Sequence, residues 1–454
     1  MSETLARHLR RTIVLGLPLV GSQVAQILIG LTDTLMLGRY SVEALAAGTM
    51  GHTVFFSLFV LGSGFAVACV PMAASALGRG DEVAVRRVTR MGIWLSTLTA
   101  LAMLPAFLWS EAILLALGQT AQVAADAQAY LRIAGIGMLP ALLTATFRSH
   151  LSVLEHTRIV LWATLAAAVL NAGVNWLLIF GNLGLPELGI RGAAIASVAV
   201  QTLSVAVLAA YAARGPGMAR FDLFRNLHRA DWPIFNDILR LGWPIGLTHV
   251  SESGLFAASA LMMGALGTVA LAAHGIAIGI AGLTFMVHMG LSQAATVRVG
   301  RAWGQGDATG LRRAAQAALL LSGGAVLLAI LLYFGAGRVL VDLFLDPADP
   351  DAAVIRTLGI RLLMLAALFQ LVDAGQVMAL GLLRGVQDTR RPMVYAIGAY
   401  WGLGIPASYL LGFPLGLGPE GIWLGLVVGL AAATVTLTAR FVRLTGGAPL
   451  TSRS

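Results

Sequence analysis

Long apolar stretches alternate with short polar breaks along the whole chain. Twelve can be placed, at about 12–36, 44–77, 91–117, 128–147, 159–180, 192–213, 238–263, 269–297, 314–336, 357–383, 393–412 and 421–441, each bounded by charge or by Gly/Pro turns. Each is long enough, as a helix, to cross a hydrocarbon core of ~30 Å. Backbone groups in hydrocarbon must satisfy one another, which leaves helices or a closed barrel. No repeated ten-residue alternation marks barrel strands. The pattern therefore predicts an all-α polytopic membrane protein with twelve transmembrane helices.

The stretches repeat. At an offset of 226, Leu15-Gly16-Leu17-Pro18 falls on Leu241-Gly242-Trp243-Pro244 without a gap. In the same register Gly78-Arg79-Gly80-Asp81 meets Gly304-Gln305-Gly306-Asp307, and Arg86-Arg87 meets Arg312-Arg313. Later the offset becomes 232, and Gly189-Ile190 meets Gly421-Ile422. Six spans per copy return the chain to its starting side. Both copies thus insert alike, related by a pseudo-two-fold along the membrane normal, the plan of transporters that rock one bundle against another. The expected division is a bundle at 1–213, a cytoplasmic linker at 214–237 and a second bundle at 238–454. Pro18 and Pro244 take matching places in spans one and seven, where each frees a backbone carbonyl and bends its helix, so both are hinge candidates.

Composition agrees. Of 454 residues 58% are hydrophobic and 11% charged, with mean hydropathy +0.84, against about 25% charged in soluble chains. The net charge of +9 comes from 30 cations, all arginine. On a soluble protein this would suggest nucleic-acid contact; here arginine placement explains it, and no nucleic-acid partner is expected. With both termini in the cytoplasm, 24 arginines, Arg453 among them, fall on the cytoplasmic side. Six fall opposite: Arg39, Arg132, Arg191, Arg338, Arg356 and Arg361. One missed or extra helix would blur that split. The first apolar run, preceded by Arg7, Arg10 and Arg11, is too long for a signal peptide and reads as an uncleaved first span. A lone Cys69 in an apolar run implies neither a disulfide framework nor a cysteine metal site.

Candidate chemistry lies in the few acids inside spans: Asp33, Glu252 and Asp373. A charge at the bilayer centre costs about 2.5–3.5 kcal/mol, so these groups must face a wet or polar interior. Each sits on a polar stripe of helical spacing. Gln26, Gly30 and Asp33 share a face of span one, and Gln370, Asp373 and Gln376 line one side of span ten. In span seven His249 stands three residues before Glu252, placed to share its proton or to bond a neighbouring helix. Asn171 and Asn175, four apart in span five, can orient an acid, ligate a cation or bond another helix.

Three features resemble the multidrug and toxic compound extrusion (MATE) family over nearly the whole chain, beside the repeat and the two Gly-x-Gly-Asp loops. They are Leu31-Thr32-Asp33-Thr34-Leu35-Met36-Leu37-Gly38, Asp373-Ala374-Gly375-Gln376, and the following Leu383-Arg384-Gly385-Val386-Gln387-Asp388-Thr389. The chain is similar to the NorM-type branch, whose members carry acids in spans one, seven and ten. The DinF-type branch relies on an acid in span five, where this chain has Asn171 and Asn175. One departure is His249-Val250-Ser251 before the seventh-span acid, where relatives often have aromatics.

The resemblance implies a multi-pass protein of the bacterial inner membrane that exports amphipathic organic cations in exchange for Na+ or H+. Asp33, Glu252 and Asp373 would bind coupling ion and substrate, with Na+ possible at Glu252 and Asp373 and no other metal or cofactor. The alternative within the superfamily is a flippase for a lipid-linked precursor, which acids in the membrane disfavour. No Ser/His, Cys/His or metal-ligand cluster points to an enzyme. Without lysine no G-x-x-x-x-G-K-[ST] loop for ATP can exist. A monomer is the expectation, although no residue reads out oligomeric state.

Overall fold

The computed structural model describes residues 4–446 apart from 347 and 349; Arg453 lies outside the described residues. Every regular element among them is helical. The spanning helices are α1 (Leu5–Tyr40), α2 (Val42–Gly78), α3 (Glu82–Leu108), α4 (Ala121–Val153), α5 (Thr157–Phe180) and α6 (Gly189–Arg214), then α7 (Trp232–Leu266), α8 (Thr268–Gln305), α9 (Ala308–Asp342), α10 (Ala352–Gly385), α11 (Arg390–Gly412) and α12 (Gly418–Gly446). Eleven are long and apolar enough to cross a membrane. The other, α7, has 35 residues and carries the polar run from Thr248 to Ser253, which lowers its apolarity. Their outward faces stay apolar: Val169, Leu261 and Leu328 are each more than two-thirds exposed, as lipid-facing side chains must be.

The stretch expected at 91–117 is two helices. Pro105 lies in the last turn of α3, which ends at Leu108 with the Trp109 amide bonded to the Pro105 carbonyl. The chain breaks at Trp109, and a short helix, Ser110–Ala116, follows. Elsewhere the expected stretches fall inside the helices.

The two Gly-x-Gly-Asp loops have one physical job. Gly80 and Gly306 adopt left-handed φ values of +76° and +69°, which glycine does without a Cβ penalty. The next amide, of Asp81 or Asp307, then bonds back to Ala76 or Ala302 and closes the preceding helix. Each aspartate at once caps the next helix. Asp81 accepts from the Ala84 amide and Asp307 from the Gly310 amide, both at 2.8 Å.

Two compact units result. One comprises Gly21–Gly246; the other joins the chain up to Val20 to the residues from Leu247 onward. The seams inside α1 and α7 are themselves 226 residues apart, two residues after Pro18 and Pro244. We call the units N-terminal and C-terminal. The N-terminal core gathers Phe107, Tyr130, Leu131, Met138 and Leu142. The C-terminal core surrounds Trp423, Tyr333, Tyr400 and Phe369. There α11 carries a π-helical stretch, Gly398–Gly404, and approaches α12 closely. A Cβ on Gly429 would lie 2.7 Å from the Gly404 Cα.

Residues 214–237, expected as a linker, pack within the N-terminal unit. Met218, Phe221 and Leu223 are buried, and the Trp94 indole of α3 donates to the Leu227 carbonyl at 2.8 Å. Buried Asp231, just before α7, accepts from Arg87 Nε at 2.5 Å, with Arg90 at 3.8 Å. The Arg87 hydrogen bond holds the Asp231 carboxyl below its usual range. A depressed carboxyl stabilises the folded state above its unfolded value of about 3.9 and loses that contribution as pH falls through the folded value. Arg87 is 44% exposed, so Asp231→Asn is expected to cost only ~1 kcal/mol at neutral pH. Thermal unfolding in detergent should show the gap to wild type closing below about pH 4; a gap constant down to pH 2 would refute the pairing.

Candidate functional site

The C-terminal unit brings α7, α8, α9, α10 and α11 around a polar cluster. Glu252 of α7 accepts from Gln376 Nε2 of α10 at 2.5 Å, and Gln376 Oε1 accepts from the Tyr400 hydroxyl of α11. The second Glu252 oxygen faces His249 Nδ1 at 3.8 Å, while Arg384 Nη2 stands 3.2 Å from His249 Nε2. A guanidinium only donates, so Nε2 must carry the lone pair and Nδ1 the proton turned toward Glu252. That arrangement is the Nδ1–H tautomer of His249, with its N–H on the Glu252 side but 3.8 Å away, beyond hydrogen-bond length.

One helical turn away, Asp373 is 1% exposed, and neither of its carboxyl oxygens has a hydrogen-bond partner. An ionised carboxylate buried without partners is costly enough to neutralise or to recruit a cation. Gln370, also fully buried, turns the other way. Its Oε1 accepts from Thr284 of α8 at 2.9 Å, and Thr284 pairs with the Tyr333 hydroxyl of α9 at 2.7 Å. The Gln370 Nε2 has no partner. Asp373 thus lies on α10 between two organised amides and is itself left open.

The N-terminal unit treats its acid differently. Asp33 of α1 accepts at Oδ1 from Asn175 at 2.5 Å and Asn171 at 3.1 Å, and Asn175 also donates to Asn171 at 3.2 Å. Both asparagines are fully buried on α5. Ser197 of α6 is a further partner of the carboxylate. Gln26, two turns before Asp33, is not part of this cluster; it lines a separate cavity with Thr144, Arg148 and Thr164. Pro18 and Pro244 lie outside both clusters, near the seams.

Comparison with known proteins decides the family. The MatE family model matches residues 18–177 and 244–410. The chain is 45% identical over 437 residues to a probable multidrug resistance protein NorM of Rhizobium meliloti, covering 96% of this chain and 94% of that one. It is 43% identical, with the same coverage, to its counterpart in Agrobacterium fabrum. This chain belongs to the MATE family, in its NorM-type branch.

Solved structures give the fold. The eukaryotic MATE transporter AtDTX14 superposes with a TM-score of 0.84 at 19% identity, covering 97% of this chain and 98% of that one. An outward-facing multidrug resistance MATE family transporter of the MOP superfamily gives 0.86 at 20% identity, covering 98% and 99%. As a MATE chain, the protein is a multi-pass membrane protein of twelve spanning helices in two six-helix bundles.

Several residues of the MATE clusters escape sequence reading. Tyr400 and Arg384 bracket Glu252 through Gln376 and His249; Thr284 and Tyr333 hold Gln370. Arginine inside a span was the available signal for Arg384, hidden because it reads as a helix-end cation. The Tyr400-Trp401 pair among glycines was the signal for the π-helical stretch, where Trp401 Nε1 reaches Ser251 Oγ at 2.9 Å.

The Asp33 cluster yields a direct test. In a double-mutant cycle of Asp33→Ala and Asn175→Ala, read by thermal unfolding in detergent, a coupling of ~1–3 kcal/mol is expected. Additive single effects would mean that the amides do not hold the acid.

Proposed function

We propose that this protein is a secondary active multidrug efflux antiporter of the bacterial inner membrane, exporting amphipathic organic cations in exchange for Na+ or H+ by alternating access. The observation that carries the proposal is the Asp373 carboxyl, buried beside Glu252 with both oxygens unpartnered. Such a group takes a proton or a small cation when one is offered and releases it when a larger cation brings its own charge. Glu252, held by Gln376, supplies a second carboxyl beside it, and Asp33 a third in the other unit. The NorM relatives are named as multidrug resistance proteins, which supports the substrate class.

The two units, Gly21–Gly246 and the chain up to Val20 joined to the residues from Leu247 onward, are the bodies that would move. Pro18 and Pro244 are suited to hinge them, because α1 and α7 each change unit two residues later. Entry of one charge along ~100 mV supplies about 2.3 kcal/mol per cycle, before any chemical gradient is added. A flippase for a lipid-linked phosphate would bring an anion toward Glu252 and Asp373, which disfavours that reading.

In proteoliposomes, export of an ethidium-like dye is expected under an inward sodium or proton gradient, and comparing the two identifies the coupling ion. Glu252→Gln and Asp373→Asn are each expected to reduce export to the level of empty liposomes while thermal unfolding stays near wild type. Undiminished export by Asp373→Asn, or export that needs ATP and no gradient, would overturn the proposal.

A further inference from the structure

Arg148 is a half-buried cation whose hydrogen-bond partners are all neutral. It lies on α4, five residues from the end at Val153 and so roughly 8 Å from it. Its guanidinium donates to Ser22 Oγ at 3.1 Å and Gln23 Oε1 at 3.4 Å, both neutral. Among the described residues no carboxylate lies within ion-pair distance of it, whereas Arg87, Arg356 and Arg440 each face an aspartate. Asp33, the acid midway along a span of the same unit, is held by Asn171 and Asn175. It also sits on α1 about 10 Å farther along than Gln26.

Beside Arg148 a cavity opens within the N-terminal unit, among α1, α4, α5 and α6. Its polar wall includes Gln26, Thr144, Thr164, Gln201 and Ser204. Thr164 and Ser204 donate to carbonyls of their own helices at 2.8 Å. Thr144 does not: its side chain is more than nine-tenths buried, and its hydroxyl has no partner. The opposite wall is apolar, with Ile29, Val200 and Leu208. A guanidinium has five N–H donors, and two here are spent on neutral oxygens. An uncompensated cation, an unsatisfied hydroxyl donor and amides beside an apolar wall make up a receptor for a negatively charged head on an apolar chain.

We propose that this cavity binds the phosphate or carboxylate head of a single-charged amphiphile, with Arg148 as its ion-pairing partner and Thr144 as an added donor. Arg148 lies toward the end of α4 expected on the cytoplasmic side, so the ligand enters at inner-leaflet depth. The site does not depend on the direction or energy source of transport.

The test uses full-length protein in a neutral detergent with dodecyl phosphate as the probe, binding being read by native mass spectrometry and by isothermal titration. Arg148→Gln is expected to weaken binding by about tenfold or more, and Arg148→Lys to recover part of the loss. Thr144→Val should weaken it several-fold without disturbing Ser22 or Gln23, and it serves if Arg148→Gln fails to fold. Dodecyltrimethylammonium should gain nothing from Arg148. Competition by phosphatidylglycerol, but not phosphatidylcholine, would identify a lipid head as occupant. Competition by inorganic phosphate alone would identify a free anion held by the same donors. Equal binding of dodecyl phosphate by wild type, Arg148→Gln and Thr144→Val, or no binding at all, would overturn the assignment.

Discussion

A carboxyl group buried in a helix bundle inside a membrane has to be answered by something, and the answer given to each acid organises this protein. Asp33 is answered by two amides, Glu252 by one, and Asp373 by no protein group among the described residues. Water is scarce at that depth, so an ionised group without donors is the most unfavourable state available to it. A site left in that condition responds to whatever cation reaches it. One whose oxygens are already occupied responds less.

The repeat explains why two units of one plan reach different answers. Gln26 of α1 and Glu252 of α7 occupy the same register position, 226 residues apart, and Asp33 matches Ser259. At these two positions each helix thus carries an acid and a neutral polar group seven residues apart, with the order reversed. Helix ends and loops did not diverge: both Gly-x-Gly-Asp turns keep the same left-handed glycine and the same aspartate cap. Backbone geometry constrains those positions in each copy alike, whereas a polar position inside a bundle is constrained only by the partners its own unit supplies.

Most of the fold was legible because the membrane reduces it to a one-dimensional problem. Apolar length fixes where helices lie, and the placement of arginine tests their number. What stayed hidden depends on side chains meeting across helices. The break at Trp109 ends a helix that apolar length alone would have carried to residue 117. The segment 214–237 reads as a charged linker, yet Phe221, Leu223 and the Arg87–Asp231 pair fold it onto α3. At the candidate site, Asp33, Glu252 and Asp373 were legible as charges in the wrong solvent. Tyr400 and Thr284 were not, since a hydroxyl within a span is ordinary until the amide it orients is known. His249 could be read either as a proton partner or as a residue bonding a neighbouring helix, and in the structure its Nε2 lies 3.2 Å from Arg384 of α10.

The magnitudes bear on which acid is fit to exchange an ion. Stripping a cation from a carboxylate at the bilayer centre exposes a charge worth about 2.5–3.5 kcal/mol, while one charge falling through ~100 mV returns about 2.3 kcal/mol. These are close enough that a membrane potential with a modest concentration gradient can load and unload such a site. Hydrogen bonds to a charged group add about 1.5–3 kcal/mol each, so the two amides donated to Asp33 offset part of the cost of burying its charge and weaken its need for a counter-cation. The same arithmetic leaves Asp373, which receives none, with the strongest demand for a proton or a metal ion. In the proposed exchange, the Gln376 amide, itself oriented by the Tyr400 hydroxyl, would hold Glu252 in place beside it.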